Sequence, residues 1–157
     1  MMGAVLLPLG GVVFGACLAG LAYADIRWGL LPDRLVALLA ATAVIPWLGG
    51  QGSGMEALGG SGCGACLLWL LRWLSRGGLG WGDVKLAGAA GLWLGWQSML
   101  VALGMAFLTG GLWACVLVWQ GRQGWSDTLP FGPFLAGGFL FAYEAGAECW
   151  QWYWSLW

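Results

Sequence analysis

The 157-residue chain is 61% hydrophobic, only 8% charged, carries a net charge of −1 and has no histidine. A soluble domain typically carries about 25% charged residues, so this composition excludes a water-covered globule and points to a membrane protein. The near-neutral balance offers nothing to a nucleic acid.

Apolar stretches broken by charges and Gly/Pro clusters predict six helical segments, at about residues 5–24, 35–48, 55–74, 83–94, 99–120 and 131–153. Lipid tolerates no unpaired backbone, so every segment is expected to be helical. The expected fold is all-α: a polytopic bundle of about six transmembrane helices forming one domain over residues 1–157. The second and fourth segments are short against the ~20 residues that a bilayer core requires. The start lacks a basic region and its apolar stretch is long, so a cleaved signal peptide is not expected. Thirty glycines allow helices to pack closely, and fourteen tryptophans suit the headgroup level. The C-terminal "CWQWYWSLW" reads as an interfacial anchor.

The six cations fall in three loops. Arg27 and Arg34 lie between the first two segments, Arg72, Arg76 and Lys85 between the third and fourth, and Arg122 between the fifth and sixth. With six crossings all three loops share one side, which the positive-inside rule makes cytoplasmic, with both termini on the non-cytoplasmic side. Of the five cysteines, Cys63 and Cys66 make a lone C-x-x-C. Without a second pair or a histidine, no metal site is expected, and the cysteines read as small apolar residues within spans.

Of the seven carboxylates, Glu56, Glu144 and Glu148 fall near outer span ends, and Asp127 reads as a solvated loop residue beside Arg122. Asp25 and Asp83 differ: one leaves the membrane and the other enters it, so both lie at the same depth. Two facing carboxyls cannot both ionise and would share a proton. One could then activate water while the other polarises a carbonyl, which is aspartic protease chemistry and needs neither histidine, serine nor metal. The same residues also admit plain ion pairs of the two aspartates with Arg27 and Lys85. Gly77, Gly78, Gly80 and Gly82 precede Asp83. Capping a helix needs only the aspartate, whereas glycines leave room for an extended backbone to approach.

Three stretches resemble the type IV prepilin peptidases, G-x-G-D membrane aspartic proteases. They are "ADIRWGLLPDRL", "GLGWGDVKLAGAAGLWLGWQ" and "LPFGPFLAGG", in the family's order. Presenilin and signal peptide peptidase share G-x-G-D but carry Y-D and P-A-L motifs, which are absent from this sequence. The resemblance implies that Asp25 and Asp83 are catalytic. It implies an endopeptidase without cofactor that removes a basic leader from prepilin or pseudopilin-like precursors, after a glycine, at the cytoplasmic edge of the bacterial inner membrane. Gly80, Gly82, Lys85, Pro32, Phe131, Gly132 and Pro133 are expected to bind substrate or shape the site. Gly80 and Gly82 would admit the substrate backbone, and Lys85 would hold an acidic group of the mature pilin or pair with Asp83. Pro32 and Pro130 mark span entries, where a missing N–H is harmless. Many bacterial members carry an insert with two C-x-x-C pairs linked to N-methylation; none is present in this sequence, so N-methyltransferase activity is not expected.

The rival reading is a small transporter or channel using Asp25 and Asp83 as a proton or cation relay. It requires charges spread through the bilayer depth, whereas here they gather at one edge. A serine hydrolase would need a Ser–Lys pair around Lys85, the one lysine.

Overall fold

The computed structural model describes residues 2–48, 50, 53–76, 78–121 and 131–157, with residues 2–7 described by backbone alone. Six helices follow in order: α1 (Met2–Trp28), α2 (Asp33–Thr42), α3 (Val44–Leu48), α4 (Gly54–Leu74), α5 (Trp81–Trp119) and α6 (Gly132–Ser155). No strand occurs among the described residues. Three helices are long and apolar enough to cross a membrane: α1 from Pro8 to Trp28, α4 and α5.

Local chemistry sets the helix ends. The first helix runs four residues past its expected end, through Asp25 to Trp28. Beyond it, Gly29 adopts φ 61° and its N–H reaches the Asp25 carbonyl at 2.8 Å, a left-handed stop. The expected segment at 35–48 divides into α2 and α3 around Ala43. Pro46 has no N–H to return to the carbonyl four residues earlier, which favours a break there. Ser53 and Glu56 cap α4 reciprocally, through bonds of 2.9 and 3.2 Å.

The segments expected at 83–94 and 99–120 are the two arms of α5, which meet at Gly95, where φ 72° and ψ 169° interrupt the helix. That conformation belongs almost exclusively to glycine. The chain doubles back there. The missing Cβ of Gly64 leaves a space that both Met99 Cε and the Ala87 carbonyl border. Residues twelve apart would stand about 18 Å apart along a straight helix. The second arm then runs back along α6, with Ser98 against Gly146 and Gly110 against Phe131.

Small residues make the inner seams. A Cβ on Gly60 would collide with the Gly91 carbonyl, and one on Gly91 with the Gly60 carbonyl, so α4 and α5 touch backbone to backbone. Large apolar side chains face outward instead: Val12, Ile26, Leu108, Leu112 and Trp119 are all exposed. The core is aromatic and aliphatic, with Phe14 stacked on Tyr143 at 5.1 Å and tilted against Trp93 at 5.0 Å, while Trp93 meets Tyr143 edge-on at 6.4 Å. The Trp93 indole donates to the Leu39 carbonyl at 2.8 Å. A buried indole N–H needs such a partner, and this bond pins α2 to α5. Small residues at the helix seams together with large apolar side chains over the outer surface are the pattern of a multi-pass membrane protein.

Candidate active site

Asp25 and Asp83 are the only buried charged side chains among the described residues, 9% and 7% exposed. They arrive from different helices at one end of the bundle, Asp25 from the end of α1 and Asp83 from the start of α5. Asp25 occupies the last turn of α1. Its Oδ2 accepts the Gly132 N–H at 3.0 Å. Gly132 opens α6, so the positive end of that helix dipole faces the carboxyl. Pro133 has no N–H, and the N–H groups of Phe134 and Leu135 already reach the Phe131 carbonyl, each at 3.1 Å. Gly132 is thus the first-turn donor left for Asp25. A Cβ at that position would lie 2.6 Å from Asp25 Oδ2, so only glycine fits.

Asp83 is the third residue of α5, and its Oδ2 accepts the Gly80 N–H at 3.3 Å. The helix begins at Trp81, two residues before the expected start, which turns the carboxylate into its own helix cap. Gly80 itself has an ordinary φ of −70°. Gly82 serves close packing: a Cβ there would lie 2.9 Å from the Leu31 side chain. The space that the glycine opens is therefore taken by the α1–α2 connection of this chain.

Neither aspartate makes the plain ion pair that the sequence also allowed. Lys85 turns away from Asp83 and grips Asp33, at 2.8 Å to Oδ1 and 3.0 Å to Oδ2. Residues 83 and 85 lie about 200° apart on a helix, which accounts for the separation. The pair is solvent-exposed, beside a groove of about 380 Å³ lined by Val36, Ala37, Ala40 and Gly88. Pro32 caps α2 and its carbonyl receives the N–H groups of Leu35 and Val36. Phe131 stacks on Phe107 with ring centroids 5.2 Å apart, which anchors the start of α6. Gly77, Arg122, Asp127 and Pro130 lie outside the described residues.

Three contributors escaped the sequence reading. Arg72, near the end of α4, donates from its guanidinium to the Leu79 carbonyl and lies 4.9 Å over the Trp81 ring. Asp33 holds Lys85, and Leu31 fills the space beside Gly82. Only Arg72 lay near enough in sequence to the glycine loop to be suspected; the others depend on how α2 lies against α5.

Among the described residues, no three His, Cys, Asp or Glu side chains converge as a metal site. A cavity of about 810 Å³, lined by Trp47, Glu56, Trp93, Tyr143 and Glu144, contains neither Asp25 nor Asp83. It opens near the Gly95 turn, at the opposite end of the bundle.

A model of the type IV leader peptidase family matches residues 12–115, a stretch that includes both aspartates. Among curated relatives, a prepilin leader peptidase/N-methyltransferase of Burkholderia pseudomallei (strain K96243) is 40% identical over 133 residues, covering 80% of this chain and 43% of the relative. One of Aeromonas salmonicida is 34% identical over 144 residues, covering 88% and 50%. One of Bacillus subtilis (strain 168) is 32% identical over 139 residues, covering 86% and 55%. The chain spans about half the length of the curated relatives it matches. No solved structure matches it significantly. Motif, paired buried carboxyls and family match converge: the chain belongs to the type IV leader peptidase family.

Proposed function

We propose that this chain is an aspartic endopeptidase that removes the leader peptide from type IV prepilin-like precursors, after a glycine, at the cytoplasmic face of the bacterial inner membrane. The observation that carries the reading is the pair of buried carboxyls, Asp25 and Asp83, facing one end of an otherwise apolar bundle with no described cation paired to either. Burying a charged group without a partner is costly, so two buried carboxyls with no counter-ion among the described residues point to use.

In each carboxyl, Oδ2 is held by a backbone N–H, while Oδ1 accepts no hydrogen bond among the described residues. The free oxygens are available to one water. The ionised carboxyl takes a proton from that water, and the oxygen attacks the scissile carbonyl carbon. The protonated partner gives its proton to the carbonyl oxygen, producing a neutral tetrahedral diol. The carboxyl that took the water's proton passes it to the amide nitrogen while its ionised partner withdraws a proton from a diol hydroxyl. The C–N bond breaks to give an amine and a carboxylic acid, and the dyad again holds one proton. Orientation follows the charges: all five described cations lie at the aspartate end, supporting six crossings with both termini outside. The relay reading is disfavoured because no other buried charge continues a path from the two aspartates among the described residues.

Membranes containing the chain and a prepilin-like precursor test the proposal. Asp25→Asn and Asp83→Asn should each abolish cleavage while the protein stays in the membrane; full activity in either sinks the dyad. The relatives' names include N-methyltransferase. The product's mass shows whether a methyl group is added.

A further inference from the structure

We propose that Arg72 is a positioning residue for Asp83, clamping the loop from which α5 starts; the inference rests on the dyad reading above. Asp83 holds its place through the first turn of α5, and that turn hangs on the short connection from α4. The connection contains Gly78 and Gly80, residues with little conformational preference of their own. Something outside must fix it if the carboxyl is to stay within reach of Asp25.

Arg72 grips the residues on both sides of Gly80. The guanidinium donates to the carbonyl of Leu79, the residue before the helix cap. The same group lies 4.9 Å over the ring of Trp81, the first residue of the helix. A carbonyl just outside a helix start has no intrahelical donor, so the arginine satisfies it. Arginine suits both tasks together, since its planar fork stacks on an aromatic face while its N–H groups point outward; lysine offers a point charge without the plane. Trp81 is 55% exposed, so burial alone does not hold its ring. Leu79 is half-buried against the core and gives the loop its other anchor. Arg72 touches neither aspartate, so its effect on chemistry passes through the loop.

The test is a cleavage assay on the full chain in membranes, with kcat and KM measured separately for Arg72→Ala, Arg72→Lys, Trp81→Leu and Trp81→Phe. Misplacing a catalytic group by about 1 Å can cost about 100-fold in rate. Arg72→Ala and Trp81→Leu should each lower kcat by about 10- to 100-fold with KM within about threefold. Arg72→Lys and Trp81→Phe should recover much of the loss. The Arg72→Ala/Trp81→Leu double variant should be scarcely worse than either single one, because the two residues form one clamp. Wild-type kcat in Arg72→Ala, a rise confined to KM, or fully additive losses would each overturn the proposal. Should Arg72→Ala fail to accumulate in the membrane, Arg72→Gln and the tryptophan pair carry the same comparison. Asp83→Asn runs in parallel: an active Asp83→Asn removes the dyad itself, whereas an inactive Asp83→Asn with unimpaired Arg72 variants removes only the clamp.

Discussion

At residue 132 the site admits no side chain. Any Cβ there would meet Asp25 Oδ2 at 2.6 Å and Cγ at 2.8 Å. Gly132→Ala must therefore push Asp25 aside or tilt α6, and either movement breaks the N–H contact at 3.0 Å. Cleavage should fall about 100-fold, the order expected when a catalytic group shifts by about 1 Å. The rate of leader release, measured with equal amounts of membrane-inserted protein, checks this. A charge in a chain this apolar is conspicuous, so Asp25 and Asp83 stood out from sequence and depth. That pattern also allowed plain ion pairs with Arg27 and Lys85, and only the glycines and the motif resemblance favoured a dyad. Gly132 was legible only as part of a familiar motif, because the bond it makes joins residues 107 positions apart. The partner of Lys85 was not legible. It depends on Asp33, 52 positions away, being brought alongside by α2, and an exposed pair of that kind contributes only about 0.2–1 kcal/mol. The roughly 200° between residues 83 and 85 on a helix argues against Asp83, but nothing in local pattern singles out Asp33.

Among the elements, α5 decides the geometry. Its 39 residues would extend about 58 Å as a straight rod, roughly twice a bilayer core. Gly95 resolves the mismatch by reversing the chain at φ 72°. The nearest atom to an added Cβ at that position is 3.8 Å away, so space is not the constraint; backbone conformation is. Gly95→Ala should cost about 1–3 kcal/mol in stability, visible as a lower thermal midpoint in detergent with the helix content of the folded state unchanged. Gly60 poses the opposite case, since its ordinary helical backbone faces the Gly91 carbonyl at contact. Hydropathy located these elements well, including the division near residue 95. It placed the ends of α1 and α5 wrongly because caps and glycine stops act over single residues, below the resolution of an apolar stretch. The division of 35–48 into α2 and α3 turns on Pro46, whose effect inside a short apolar run depends on what packs around it.

On the scale of the whole molecule, charge is sorted by end. Arg27, Arg34, Arg72, Arg76 and Lys85 lie with the aspartates, whereas Glu56 and Glu144 line the cavity near the Gly95 turn. Under the proposed orientation, an impermeant thiol reagent added to intact cells should label Ser155→Cys but not Arg76→Cys, in an otherwise cysteine-free chain. Opening the membrane should expose the second. Labelling of Arg76→Cys from outside would invert the topology. The bond between Gly132 and Asp25 has a consequence for biogenesis. The chain emerges from the ribosome with Asp25 first and Asp83 next, while the backbone donor that settles Asp25 belongs to α6, which is made after both. Until α6 inserts and docks, the nascent chain contains both aspartates but lacks the backbone bond that fixes Asp25. Under the proposed function, activity waits on the docking of α6, and a chain stalled before residue 132 should show no cleavage.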